Sequence, residues 1–255
     1  IYQLSITWET NVQYSHGFLV PILCFYLILK SQDTSFDDTI KKSFLQGKTW
    51  YLFGIPLLLA LPLIWLIRGA NTDWRLLNLV LFGITFILTL IPVFDQGGWN
   101  KSKILIFPIL FFLVAVPWPL ATDLQLTQWF QGKVSSIIVD VLLLLEHEAS
   151  LQGTVIDVGV FGQIGLDQAC SGINGLQASI VITLFFGAYY RYGWINRFVL
   201  ALAGAIIAVG FNLLRAFSLS YIKVKGKGHL LDQHLFSIGE WQFPSLHDLA
   251  GWIET

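Results

Sequence analysis

Long apolar runs without a charged side chain dominate the pattern of hydrophobic and polar positions along this chain. Six such runs cover residues 10–29, 49–67, 76–94, 104–122, 168–190 and 198–214. Each is close to the ~20 residues that an α-helix needs to cross about 30 Å of hydrocarbon. The pattern therefore predicts a chain that crosses a membrane six times.

The connection between the fourth and fifth runs has a pattern of its own. Residues 122–145 carry apolar side chains at mixed helical spacing, which predicts an amphipathic helix lying at the membrane interface. Residues 154–167 partly alternate and are interrupted by Gly159, Gly162 and Gly165, which predicts a short β-hairpin. The predicted fold is an all-α polytopic membrane protein with six or more transmembrane helices, an interfacial helix and a small extracytoplasmic β-hairpin.

The composition supports a membrane protein and excludes other classes. Hydrophobic residues make up 55% of the chain, charged residues 12%, and the mean hydropathy is +0.66, values outside the range of ordinary soluble domains. A net charge of −1 and the lack of a basic stretch interleaved with aromatic residues argue against nucleic acid as a partner. Cys24 and Cys170 are far apart in the sequence, so neither a disulfide framework nor a zinc site is predicted, and no cofactor is expected.

Basic residues bias the predicted orientation only slightly. Eight of the fifteen lie in the connections 30–48, 95–103 and 191–197, which the positive-inside rule places in the cytoplasm. The connections 68–75, 123–167 and 215–247 then lie outside, although Lys223, Lys225 and Lys227 oppose this assignment.

The chain is interpreted as a single domain, 1–255, that lacks some residues. It contains no methionine at all, which is unusual for a membrane protein of this length. Its C-terminal segment "HDLAGWIET" stops just as an apolar run begins. We therefore expect truncation at both ends and missing internal residues.

Cys170 is the first candidate for chemistry. It lies where a polar, glycine-rich segment becomes a predicted helix, and the unpaired N–H groups at a helix start carry a partial positive charge that favours a thiolate. A membrane cysteine without such a context is more often a small packing residue, and Cys24, inside an apolar run, is assigned that role.

Arg215 is the second candidate, because an arginine at or within a membrane helix is energetically costly and usually faces protein or water. The alternative is a side chain that only extends to the interface. Asn212, three residues earlier on the same helical face, could hold the guanidinium or a substrate carbonyl. Farther back in this run, Gly204 with Ala208 predicts close helix packing.

Two histidines complete the candidate set. His16 and His247 each begin an apolar segment on the predicted outer side, although a lone histidine is more often structural. A thiolate nucleophile needs a base, and an acyl intermediate needs oxyanion stabilisation. A cysteine, an arginine and a histidine that reach one membrane face therefore predict a site for cysteine acyl transfer.

Four segments in order resemble the signatures of the exosortase/archaeosortase family of integral membrane cysteine transpeptidases. They are "YSHGFLVP" at 14–21, "ACSGINGL" at 169–176, "NLLR" at 212–215 and "HDLAGW" at 247–252. The resemblance extends over essentially the whole chain. It implies a multi-pass enzyme of the cytoplasmic membrane of a prokaryote, with its active site on the extracytoplasmic side.

The resemblance also implies roles for individual residues. Cys170 matches the nucleophile, Arg215 the conserved arginine and His247 the acid/base histidine, with Asn212 and His16 as possible supporting residues. The chain departs from the family pattern at Gln168, where an acidic residue is frequent, and at 174–175, where Arg-Ser is frequent. These departures bear on the subfamily and on the motif that it recognises.

The implied substrates are exported proteins that end in a short motif such as Pro-Glu-Pro, a transmembrane helix and a basic tail. The enzyme would cleave near the motif and transfer the protein to a surface acceptor, in contact with membrane lipids. A transporter or a non-catalytic scaffold for surface polymer export is the alternative. An intramembrane protease of another class is disfavoured, because no Gly-x-Ser-x-Gly, paired intramembrane Asp or His-Glu-x-x-His pattern occurs.

Overall fold

The fold is known from a computed structural model, which describes residues 2–32, 50–71, 74–165, 172–227, 237–238 and 241–242. The chain divides into two compact units. The first unit comprises Ile1–Leu120 and Leu184–Trp194, and the second comprises Ala121–Thr183 and Ile195–Thr255.

Most of the described residues are helical. The helices are α1 (Tyr2–Thr10), α2 (Val20–Gln32), α3 (Ile55–Ala70), α4 (Leu76–Phe111), α5 (Leu120–Leu144), α6 (Ile173–Tyr189) and α7 (Trp194–Ile222). The strands are β1 (Ser150–Gln152), β2 (Val155–Asp157), β3 (Gln163–Gly165), β4 (Ser237–Ile238) and β5 (Trp241–Gln242).

Four helical segments of the described chain are long and apolar enough to cross a membrane. They are Val12–Ser31, Trp50–Ala70, Leu76–Asp95 and Trp194–Lys227. They match the first, second, third and sixth predicted spans, and a fifth is added if Ser102–Ala115 and Leu120–Leu144 form one broken span. The protein is therefore a multi-pass membrane protein, and six or more spans remain a prediction.

The predicted fourth span, 104–122, is not one helix. Helix α4, itself interrupted at Gly98 (φ 60°), ends at Phe111 and is followed by a 3₁₀ turn and by extended backbone at Val116. Pro117 follows directly, and a proline lacks an N–H donor and disfavours helical backbone in the residue before it. The sequence prediction missed this break because it weighed charges and not prolines, and whether the segment crosses the membrane as a broken span stays a prediction.

The predicted fifth span, 168–190, corresponds to a shorter helix in the described chain. Gly172 has a φ of +75°, outside the helical region, and α6 begins at the next residue. Its 17 residues span about 26 Å at 1.5 Å per residue, slightly less than the hydrocarbon thickness of a bilayer.

The predicted hairpin is confirmed and is part of a larger sheet. Strands β2 and β3 pair antiparallel, with Val155 opposite Gly165 and Asp157 opposite Gln163. Strand β1 pairs with the other edge of β2, which gives a three-stranded antiparallel sheet. The sequence did not indicate β1, because its three residues include no β-branched or aromatic side chain.

Helix α5 covers nearly all of the segment 122–145 that the sequence predicts to be helical, and one of its faces is buried. Its buried face includes Ile138 and Leu142, which pack with Ile156 of β2 and Ile164 of β3. Ala216 of α7 belongs to the same hydrophobic cluster. In the second unit, the core therefore holds the sheet against the half of α7 that carries Asn212 and Arg215, and the interfacial position of α5 stays a prediction.

Candidate active site

One face of α7 is buried and carries two of the predicted site residues. Asn212, Ala216 and Ser220 follow one another at four-residue spacing and are 1%, 0% and 0% exposed. Arg215 lies one residue before Ala216 on the same helix, is half-buried, and has its Nε atom enclosed. The i, i+3 relation between Asn212 and Arg215 thus places both side chains beside the core of the second unit.

Gly172 of the cysteine motif lies directly against Asn212. A methyl group built on Gly172 would come within 2.5 Å of both Cγ and Nδ2 of Asn212. The Gly172 carbonyl oxygen accepts a 3.0 Å hydrogen bond from the N–H of Leu176, which begins the first turn of α6. Only a glycine meets both requirements here, because its φ is positive and no space remains for a side chain.

A second contact holds the chain on the other side of the cysteine motif. Lys223, in the helical extension of α7, donates a 2.7 Å hydrogen bond from Nζ to the carbonyl oxygen of Gln163 in β3. Strand β3 ends at Gly165, five residues before Cys170 in the sequence. The described segments on both sides of residues 166–171 therefore contact α7 or its extension.

The structure describes some of the predicted site residues and not others. Asn212 and Arg215 are described, and Asn212 is brought together with the glycine that follows Cys170 by two positions. Cys170 and His247 lie outside the described residues. The catalytic roles of Cys170, Arg215 and His247 stay predictions.

His16 is located in the first unit, where it has a backbone partner. Its Nε2 atom is 3.3 Å from the carbonyl oxygen of Val114, a hydrogen bond when that nitrogen carries the proton. Nearby, Trp8 Nε1 donates to the carbonyl oxygen of Ala115 at 2.8 Å, and the N–H of Trp118 donates to the Tyr14 hydroxyl at 3.2 Å. These bonds give His16 a structural role, and its supporting role in catalysis stays a prediction.

Sequence reasoning did not identify Gly172, Gln177 or Ser220. Gln177 Oε1 in α6 and Ser220 Oγ in α7 are buried and have no hydrogen-bond partner among the described residues. Buried polar atoms are normally hydrogen-bonded, so these two oxygens add unused hydrogen-bonding capacity to α6 and α7. For Gln177 and Ser220, the indication in the sequence was a polar side chain within an otherwise apolar helix.

The described part of the chain offers no cluster of three or more His, Cys, Asp or Glu residues that could hold a metal ion. The expectation that the protein needs no cofactor stays a prediction.

Comparison with known proteins gives one finding. A family model described as transmembrane exosortase matches residues 8–253, nearly the whole chain. Comparisons with curated proteins and with solved structures returned no match. The matched region contains all four segments whose sequence resembles that family.

The contact between Gly172 and Asn212 predicts that Gly172→Ala destabilises the protein. An alanine at this positive φ costs roughly 1–2 kcal/mol, and its methyl group also displaces the Asn212 side chain. The midpoint of thermal unfolding in detergent should therefore fall.

Gly132→Ala provides the matched control in the same unit. Gly132 lies within α5 with open space around it, and alanine in a helix interior is favoured over glycine by about 0.5–1 kcal/mol. Its midpoint should stay the same or rise. A Gly172→Ala protein as stable as the Gly132→Ala protein would contradict the close approach.

Proposed function

The chain belongs to the transmembrane exosortase family, and from this premise we propose that it is a membrane-embedded cysteine transpeptidase that sorts exported proteins. Its substrates end in a short motif such as Pro-Glu-Pro, a transmembrane helix and a basic tail. The enzyme cleaves near the motif and transfers the protein to a surface acceptor. It acts in the cytoplasmic membrane of a prokaryote, with its active site on the extracytoplasmic side.

The observation that supports this proposal most strongly is the contact between Gly172 and Asn212. Cys170 precedes Gly172 by two peptide units, which reach no more than roughly 7 Å between Cα atoms. Arg215 follows Asn212 by about one helical turn. The motif that carries the proposed nucleophile and the helix that carries the proposed oxyanion donor are thus joined at one contact.

Cys170 acts as the nucleophile. Its thiolate attacks the scissile carbonyl carbon, which forms a C–S bond and a tetrahedral oxyanion. As the oxyanion collapses, the amide C–N bond breaks and leaves a thioester on Cys170. The thiolate is favoured by the position of Cys170 just before α6, whose first N–H groups carry a partial positive charge.

Arg215 stabilises the oxyanion. A guanidinium supplies several donors in a fixed plane, and its hydrogen bonds to an anionic oxygen strengthen as charge develops on that oxygen. Burial of the Nε atom limits the number of arrangements that the side chain can adopt. The Asn212 side chain contributes by positioning the guanidinium relative to the loop before α6.

His247 moves the protons. It donates a proton to the leaving amine when the C–N bond breaks, and it then takes a proton from the acceptor amine or water that attacks the thioester. The same group therefore serves first as acid and then as base, and the enzyme returns to its starting protonation state.

We expect Cys170→Ala to abolish cleavage, because no other group in the proposed site replaces the thiolate. The measurement is cleavage of fusion proteins that carry a panel of candidate motifs, a transmembrane helix and a basic tail, in membranes that contain the full chain. Cys24→Ala is the control, since Cys24 is a buried packing residue of α2. Cleavage that persists in Cys170→Ala, or an equal loss in both variants, would refute the assignment of the nucleophile.

We expect Arg215→Lys to lower the single-turnover rate by roughly 10²-fold or more, the scale seen when one oxyanion donor is removed. Lysine keeps the charge but lacks the planar array of donors. Arg197→Lys, on the same helix, should cleave at a near-normal rate. If Arg215→Lys stays within a few-fold of wild type, Arg215 only extends to the interface and is not catalytic.

A further inference from the structure

The first unit contains an apolar cavity that the proposed reaction does not use. Its volume is about 350 Å³, within the range of about 300–1,000 Å³ that is typical of ligand pockets. Cys24 and Ile28 of α2 line one side, and Phe82 and Phe86 of α4 line another. Phe82 stacks on Phe86 at 6.2 Å between ring centroids, so this wall is a continuous aromatic surface.

A polar pair lies at one end of this cavity. Arg68, in the last turn of α3, donates a 2.9 Å hydrogen bond from Nη2 to Oδ1 of Asn78, in the first turn of α4. Both side chains line the cavity. Among the described residues, Arg68 has this neutral partner and no carboxylate partner.

One end of the cavity lies where one candidate membrane span ends and the next begins. Arg68 lies two residues before the end of the candidate span Trp50–Ala70, a position that in a spanning helix is at the depth of the lipid head groups. Asn78, Phe82 and Phe86 follow one another at four-residue spacing, which is about 12 Å along α4. The charged end is thus at the surface of the membrane, and the apolar walls lie below it.

We propose that this cavity binds one anionic phospholipid. An acyl chain lies along the Phe82 and Phe86 wall, and the phosphate accepts hydrogen bonds from the Arg68 guanidinium, whose orientation Asn78 sets. Charge complementarity selects this occupant, because a phosphate ester is the anionic group of a bilayer at this depth and a guanidinium binds it in bidentate fashion. The site lies entirely in the first unit and is independent of the proposed peptide chemistry.

The test measures lipid retention by the purified full chain in detergent, using native mass spectrometry. Three probes are compared: phosphatidylglycerol, diacylglycerol with the same acyl chains, and inorganic phosphate. Phosphatidylglycerol should bind about tenfold or more tightly than diacylglycerol, which is the scale of one lost charge-assisted hydrogen bond. Inorganic phosphate should not displace the phospholipid, because it lacks the acyl chain.

Two substitutions test the phosphate end and the acyl-chain end of the site separately. Arg68→Gln should lower the affinity for phosphatidylglycerol by about tenfold or more and leave diacylglycerol binding unchanged. Arg75→Gln is the control, since Arg75 is near the same end of α4 and does not line the cavity. Thr85→Phe should exclude the acyl chain with Arg68 intact, whereas Val80→Phe, exposed on the same helix and outside the cavity, should bind normally.

Three results would overturn the proposal. They are equal binding of phosphatidylglycerol and diacylglycerol, unchanged binding by Arg68→Gln, and displacement of the phospholipid by inorganic phosphate alone. If Arg68→Gln does not fold, Thr85→Phe against Val80→Phe decides the question. Normal binding by Thr85→Phe would then overturn it.

Discussion

The close approach of Gly172 to Asn212 is the constraint on which the arrangement of the second unit depends. A side chain at position 172 would collide with Asn212, and the positive φ there would strain any residue other than glycine. This contact fixes the start of α6 against α7. With the bond from Lys223 to Gln163, it anchors both flanks of the segment that contains Cys170.

Small residues let α6 and α7 approach at a second point. A methyl group built on Gly204 of α7 would come within 2.6 Å of Cγ2 of Thr183 and 2.7 Å of Oγ of Ser179, both on α6. In a membrane, helix association depends on close van der Waals packing and interhelical hydrogen bonds, which small residues permit. The two helices that flank the proposed site are thus positioned by glycines at widely separated heights, and a well-defined site needs such rigid supports.

The sequence predicted those features that depend on local pattern. Charge-free runs identified four spans, alternation identified the β2–β3 hairpin, and helical spacing placed Asn212 and Arg215 on one face. The sequence did not predict features that depend on prolines, which hydropathy ignores, or on contacts between residues far apart in the chain. Pro117 ends a helix that hydropathy alone extends, and the role of Gly172 depends on a residue forty positions away. The cavity near Arg68 could not be predicted from the sequence either, because its walls come from α2, α3 and α4 and form only when these helices pack.

The central claim is that Cys170 and Arg215 face one another across a single site, and thiol cross-linking tests it without any knowledge of the substrate. In a Cys24→Ala background, a short bifunctional maleimide should link Cys170 to the thiol of Arg215→Cys. Leu214→Cys, the adjacent residue on the exposed side of the same helical turn, should link poorly. Mass spectrometry of the linked peptides gives the yields. Equal yields, or a higher yield from Leu214→Cys, would contradict the claim.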